Sequence, residues 1–526
     1  MSARPPGYYE NALWAYSDAT SYAPGETATF FVSSPVPEVA CTVSRVGAAE
    51  TTVHAVRRIR AGHHGVPEDA YRAGCGWPET FALRVGADWP SGYYRVQLRA
   101  EGEPELRAEH FFVVRPAHPG ARARHVLVLA TNTYQAYNGW GGRNLYGSDA
   151  AFADSPDQLR HRPTPTPVVA WDRPFSRCLL QPPGPTRIPT SRRRGMGEPL
   201  GVPDATAELV AAGASVWDMP AGFVHKWEQQ FVAFAERAGI ALDYLAQSDL
   251  DARPDVLAAY PSYLSVGHDE YWSWEERDAV EAFVDAGGSA SFFSGNTCYW
   301  QVRFERGGRS LVGYKFTAPR EDPVLGSDRQ GRLTSLWSDP LVGRPETQLT
   351  GVTFARAGYA RAGYALSRGT AGYTIYRPDH WCLAGTDLFY GDVLGDEFAL
   401  CAYETDGCAF RFEEGLPVPT GEGGTPPDFE IVGLAPATLG EPEPTPGEGL
   451  LGRDDALFVA SRLFSGDVER ALRGHAAFGS FRRGRGEVFT AGTTEWAWGL
   501  AAGDRFVERI TRNVLARAER RARPSR

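Results

Sequence analysis

A change of hydrophobic period near residue 125 limits what this chain can fold into more than any other feature. Before it, short β-rich runs are cut by turns: Thr27 to Val32, Cys41 to Val46, Thr80 to Val85, Tyr93 to Leu98 and His110 to Val114. That spacing predicts a small antiparallel sandwich, and Pro24-Gly25 and Pro90-Ser91-Gly92 supply turn signals. After it, His125 to Ala130 is apolar throughout, as a strand buried on both faces must be, and helix and strand candidates alternate from there. Trp227 to Ala238 sets Phe231, Phe234, Ala235 and Ala238 on one helical face, and Leu242 to Leu245 and Tyr263 to Val266 read as strands. Ser273 with Glu276 predicts a capping box opening a helix that stops at Gly287-Gly288, before a strand Ser289 to Phe293. Glu487 to Thr490 reads as a late strand and Phe506 to Arg517 as a final helix. The predicted fold class is α/β: a β-sandwich over 1–115, a linker over 116–124, and a mainly parallel α/β sheet domain with long insertions over 125–526.

Composition narrows the function. Hydrophobic residues at 43% and charged residues at 22% are ordinary globular values. A net charge of -10 leaves no broad basic face to displace counterions, so no nucleic-acid partner is expected. The basic runs Arg192-Arg193-Arg194 and Arg517 to Arg526 read as a solvated loop and a frayed terminus. No apolar stretch approaches the ~18 residues that span a bilayer, and Met1 to Tyr9 lacks the apolar stretch of a signal peptide, so no membrane partner and a cytoplasmic location are expected. The seven cysteines form no CxxC pair, and their odd number argues against a disulfide framework.

In open α/β sheets ligands bind at the carboxyl ends of strands. The residues after four apolar runs are polar and reactive in type. Thr131 to Gly142 follows Ala130, Gly267-His268-Asp269-Glu270-Tyr271-Trp272 follows Val266, Ser294-Gly295-Asn296-Thr297-Cys298-Tyr299-Trp300 follows Phe293, and Tyr403-Glu404-Thr405-Asp406-Gly407 follows Ala402. Three ionisable groups in succession at 268–270, after a buried strand, need partners, water or a ligand. The aromatics Tyr134, Tyr137, Tyr271, Trp272 and Trp300 are as well explained by packing. Asn296 occupies the usual nucleophile position of an elbow turn, which speaks against direct Ser-His-Asp chemistry and leaves Cys298 as the alternative nucleophile.

These motifs, taken in order, resemble the large (beta) subunit family of N,N-dimethylformamidase. They are NTYQAYNGWGG at Asn132 to Gly142, Asn144-Leu145-Tyr146, WDRP at Trp171 to Pro174, GHDEYW at Gly267 to Trp272, SGN at Ser294 to Asn296, RPETQLTGV at Arg344 to Val352, PDHW at Pro378 to Trp381 with Gly385-Thr386, and YETDG at Tyr403 to Gly407. The resemblance runs from about Arg124 to Leu500. It implies an amidotransferase-like three-layer sheet domain and a hydrolase cleaving the C–N bond of small amides such as N-substituted formamides. It further implies a mononuclear Fe(III) site held by two tyrosines and a glutamate, and a homo-oligomer with or without a separate small subunit. By motif, Glu270 is the carboxylate ligand, Tyr137 a phenolate ligand, His268 and Asn296 groups around the substrate amide, and Glu404 the catalytic carboxylate. The second phenolate falls on Tyr146, or on the position after Asp172-Arg173-Pro174, where this chain has Phe175; in the latter case a ligand is missing.

The residue chemistry agrees with that implication. A phenol of pKa ~10 ionises at neutral pH only against strong positive charge, and oxygen-only donors suit a hard ion over zinc. Two other readings stay open: a non-catalytic small-molecule-binding protein with a degenerate metal pocket, favoured by Phe175, and a metal-free cysteine hydrolase using Cys298 and His268.

Overall fold

The computed structural model describes residues 9–146, 164–176, 179–180, 182, 187, 221–360, 371–440 and 453–521. The Arg192-Arg193-Arg194 run and the end of the basic C terminus lie outside the described residues. Within them the chain is a mixed α/β protein. Near the N terminus a three-stranded sheet (Trp14–Ser17, Thr27–Ser33, Phe81–Arg84) accompanies a five-stranded one (Ser21–Tyr22, Glu103–Val114, Gly92–Ala100, Glu38–Val46, Glu50–Arg60). Phe30, Val32 and Leu83 of the first share an apolar core with Val43, Val96 and Phe112 of the second, each side chain worth ~1.5–3 kcal/mol of burial. The sequence pattern misses Glu50–Arg60, because this strand pairs only with Glu38–Val46 and exposes most of its side chains to water.

The larger sheet has nine strands. We number them β1 His125–Leu129, β2 Leu242–Ala246, β3 Ser262–His268, β4 Ser289–Gly295, β5 Tyr373–Ile375, β6 Val393–Leu394, β7 Glu430–Ala437, β8 Gly474–Arg483 and β9 Gly486–Thr490. Their order across the sheet is β2-β1-β3-β4-β9-β8-β7-β5-β6. From β2 to β9 the neighbours run parallel; from β9 to β6 every pairing is antiparallel. The sheet is thus mixed, where the sequence predicts a mainly parallel one. The reason is local: β8 and β9 are joined by the tight turn at Arg483 to Gly486, which permits only an antiparallel neighbour.

β1 shows why its sequence is apolar on both sides. Leu127 and Leu129 point into one core cluster and Val126 and Val128 into another, on opposite faces of the sheet. The helices Trp227–Arg237 and Arg505–Arg521 bury Phe231, Val232, Val507 and Ile510 in the first cluster, and Trp274–Asp285 buries Val280, Phe283 and Val284 in the second. Ser273 caps Trp274–Asp285 by accepting from Glu276 N at 3.0 Å. The Ser273 hydroxyl in turn donates to Asp251.

The parallel half sets its carboxyl ends on one edge. β1 runs into the helix Thr131–Tyr137, β3 ends on His268, and β4 ends on Gly295, so that Asn296 is the next residue. The YETDG segment differs from expectation. Leu400 to Ala402 is apolar because it is buried, not because it is a strand, and Glu404 instead opens the strand Glu404–Gly407, paired antiparallel with Thr353–Tyr359 outside the nine-stranded sheet.

Gly267 allows this edge to close. Its φ of +78 lies in the left-handed region, and a Cβ there would stand 2.5 Å from Trp227 Cβ. Gly267→Ala should therefore cost both strain and overpacking, about 2–4 kcal/mol in a denaturant titration. Gly102→Ala, at a φ of +83 with open space around it, should cost only the strain, ~1 kcal/mol. Equal losses in the two variants would contradict the close approach of Trp227.

Candidate active site

The strand ends converge on His268. Its Nε2 lies 2.7 Å from Glu404 Oε2 and 3.3 Å from Glu270 Oε2, so one imidazole nitrogen faces two carboxylates. Only a proton on Nε2 makes that arrangement attractive. The Tyr137 hydroxyl donates to Glu270 Oε2 at 3.1 Å, and Asn296 Nδ2 donates to Glu404 Oε2 at 3.2 Å. All five side chains are buried. Rings wall the imidazole: Tyr137 at 5.7 Å, Tyr403 at 6.1 Å and Trp227 at 6.2 Å between centroids, each close to edge-on.

Each group is held by its own local structure. Tyr137 ends the helix Thr131–Tyr137, whose following loop is fixed by the fully buried Arg173. That guanidinium donates to the carbonyls of Trp140, Asn138 (2.9 Å) and Arg143 (3.1 Å), while Asn144 Nδ2 donates to Tyr137 O at 3.0 Å. The WDRP and NGWGG motifs thus serve the shape of one loop. Asp269, between the two facing groups, turns the other way and accepts from Gln247, Trp272 and Ser265. Burial pushes its carboxyl up to about 6.

Asn296 has a left-handed backbone, with φ of 50, which asparagine tolerates better than most residues. Asp406 clamps it there, its two carboxylate oxygens accepting from Asn296 N at 2.9 Å and Thr297 N at 3.2 Å. Burial raises the Asp406 carboxyl to about 8 against the lowering effect of those bonds. Asp406 lies two residues beyond Glu404 on the same short strand, so one strand both presents the carboxylate and orients the amide that touches it.

The two alternatives for a second tyrosine separate cleanly. The Tyr146 ring stacks on Tyr137, with centroids 4.7 Å apart and planes at 22°. Phe175 packs against His110 and Phe111 of the N-terminal sheets, at 6.0 and 5.5 Å. Cys298 lies in the core cluster of Trp272 and Phe292, on the other face of the sheet from Tyr137, and burial holds its thiol well above the ordinary range. The cysteine-hydrolase reading needs a thiolate at Cys298, and this setting disfavours one.

Sequence reasoning misses Lys315, which sits in an aperiodic segment away from any strand end. Its buried ammonium donates to the Tyr271 hydroxyl at 2.8 Å and lies 4.9 Å from the centres of the Tyr146 and Trp300 rings. Burial raises the Glu270 carboxyl, and Lys315 and His268 pull it back down. Burial likewise raises the Tyr137 phenol far above its ordinary value, with Glu270 adding to the effect. No group of three or more His, Cys, Asp or Glu among the described residues is arranged as a metal centre; His268 pairs with both Glu270 and Glu404 instead.

Fold and site together define a mixed α/β protein with a buried cluster of hydrogen-bonded ionisable side chains at the carboxyl edge of its parallel strands. The chain belongs to the family described as N,N-dimethylformamidase beta subunit-like, C-terminal, which matches residues 40–510. It is similar to the N,N-dimethylformamidase beta subunit of an Alcaligenes species, with 23% identity over 251 residues, covering 43% of this chain and 28% of that protein. The chain thus spans under a third of the length of that relative.

Removing the Asp406 clamp tests its structural weight. Asp406→Ala leaves two buried N–H groups without acceptors, at about 1–3 kcal/mol each, and should lower the unfolding free energy by ~2–4 kcal/mol in urea. Unchanged stability would show that other groups hold the 296 turn.

Proposed function

We propose that this protein hydrolyses the C–N bond of small amides, in the manner its family name suggests, with Glu404 as the group that moves the proton. The observation that carries the reading is the placement of His268 Nε2 between Glu404 and Glu270, with Asn296 on the same Glu404 oxygen. A carboxylate so held can take a proton from water as it adds to the amide carbonyl, and pass that proton to the departing amine nitrogen. The C–N bond breaks, and a carboxylic acid and an amine leave. Direct attack of Glu404 on the carbonyl, followed by water, gives the same products. His268 donates to Glu404 and keeps its reactive oxygen fixed in either case.

The family resemblance suggests a mononuclear ferric ion. Two observations support that reading: the Tyr137 and Glu270 oxygens lie 3.1 Å apart, and Tyr146, rather than residue 175, has its ring against Tyr137. Tyr137, Glu270 and Tyr146 would hold the ion, whose chemistry is to polarise the amide carbonyl or acidify a water. The non-catalytic binding reading rests on Phe175, which leaves the position after Asp172-Arg173-Pro174 without an oxygen donor, although its ring packs against His110 and Phe111 and not Tyr137. Elemental analysis separates the two. The purified protein should contain ferric iron and a visible phenolate charge-transfer band, both lost in Glu270→Ala. A metal-free protein would favour the binding reading, and zinc would overturn the donor assignment.

We also read the chain as a β-sandwich over 1–115 followed by an amidotransferase-like three-layer unit from residue 125, working in the cytoplasm. The relative is named a beta subunit, so an assembly with itself or a further subunit is part of the proposal. No helix among the described residues is long and apolar enough to cross a membrane.

Glu404→Gln keeps the shape of the side chain and removes the base. Turnover of short formamides and acetamides should fall at least ~10²-fold, the usual contribution of a positioned acid or base, with iron content unchanged. Near-parental turnover would remove Glu404 from the mechanism, and loss of iron would make it a metal ligand.

A further inference from the structure

The antiparallel edge of the nine-stranded sheet carries an apolar surface that the chain leaves uncovered. Among the described residues five large hydrophobic side chains are exposed, and four of them gather there: Phe389 (69%), Tyr390 (56%), Val393 (39%) and Phe412 (54%). They come from two separate segments. Val393 lies on β6, the last strand of the sheet, just after the turn that holds Phe389 and Tyr390; Phe412 lies on the hairpin of Phe410–Glu413 with Leu416–Pro419. The half-buried Tyr376 joins them, its ring 5.7 Å from Tyr390 and 5.4 Å from Phe412. The Tyr390 hydroxyl also donates to Gly415 O at 2.9 Å. Aromatic side chains held in place by one another and turned to water have large apolar area and little freedom left to lose, which is the character of an interface core.

The charges beside this surface say what covers it. Asp387, Asp392, Glu413 and Glu414 are exposed around the rings, and of the four only Glu413 has a cationic partner among the described residues, Arg411. A partner must therefore bring basic groups next to an apolar surface of its own. This chain has that arrangement on the neighbouring helix. Arg505–Arg521 packs against residues 381–385: Asn513 Nδ2 donates to Ala384 O at 2.8 Å, and Arg509 Nε stands 3.9 Å from where a Cβ on Gly385 would lie, four residues before Phe389. Arg505, Arg509 and Arg512 are exposed at successive turns of that helix, and none of them has an acidic partner among the described residues. Arginines thus flank the aromatic cluster on the helix side, and Glu413 and Glu414 flank it beyond Phe412. Such a face matches itself after a half turn, because a two-fold axis through the rings sets the arginines of each copy against the acids of the other.

We propose that a second copy of the chain docks on this face, with Phe389, Tyr390 and Phe412 packed across a two-fold axis and Arg509 of each copy beside Glu414 of the other. Of the two assemblies that a beta-subunit relative suggests, with itself or with a further subunit, this face fits the first. None of these residues belongs to the His268 cluster, so the dimer and the hydrolase reading stand or fall separately.

Sedimentation velocity on the full chain tests the dimer. The parent protein should sediment as a dimer at micromolar concentrations. Phe389→Ser combined with Phe412→Ser should raise the dimer dissociation constant about 100-fold or more, since buried aromatic side chains dominate interface affinity. Both are exposed within one chain, so circular dichroism should show the fold unchanged. Arg509→Glu and Glu414→Arg should each weaken the dimer about 10-fold, and the two together should bring it back near the parental value, because the exchanged charges again meet as opposites. A monomeric parent protein, or a dimer that the paired serine substitutions leave intact, would overturn the proposal. So would a doubly exchanged protein that associates no better than either single variant. Should the serine pair fail to fold, the charge exchange decides alone.

Discussion

An imidazole nitrogen set between two buried carboxylates is the constraint on which the rest of the structure depends. Charges taken out of water are tolerated only when paired and hydrogen-bonded with good geometry. His268 meets that requirement with Glu404 and Glu270, and Tyr137 and Asn296 take up one further oxygen site on each carboxylate. Four chain segments must therefore end within a few ångströms of one another. The parallel half of the sheet supplies three of those ends, at β1, β3 and β4, and the short strand Glu404–Gly407 supplies the fourth.

Close approach of those ends explains residues that have no chemistry of their own. Gly295 has no room for a side chain, since a Cβ would lie 2.5 Å from Thr494 N and 2.6 Å from Glu404 O. Trp227 reaches the imidazole over Gly267, and its Nε1 donates to the buried Glu495 at 2.8 Å. Lys315 is the cation of this region: caged by Tyr146, Tyr271 and Trp300, it offsets the negative charge of Glu270. The site is thus an ordered set of paired charges enclosed by aromatic rings.

Much of this was legible in the sequence, and the exceptions have physical causes. β1 reads as a buried strand because both its faces are covered, and the helices Trp227–Arg237, Trp274–Asp285 and Arg505–Arg521 announce themselves by periodic apolar faces. The strand-end rule finds Tyr137, His268, Glu270 and Asn296, because charged and amide side chains directly after an apolar run have few structural uses. It places Glu404 for a partly mistaken reason: Leu400 to Ala402 is apolar from burial alone. Lys315 escapes it altogether, since an aromatic cage is assembled from Tyr146, Tyr271 and Trp300, which are distant from it in sequence. The antiparallel half of the sheet escapes it too, because direction is set by the turn between β8 and β9 and not by hydrophobic pattern.

The central claim is that a small amide binds with its C–N bond between Asn296 and Glu404. The most direct measurement is a crystal structure of the Glu404→Gln protein with N-methylformamide bound. The account expects the amide beside His268, with its nitrogen within ~3.5 Å of the side chain at 404, a near-attack distance. An amide bound elsewhere, or one in this site with its nitrogen turned away from residue 404, would contradict it.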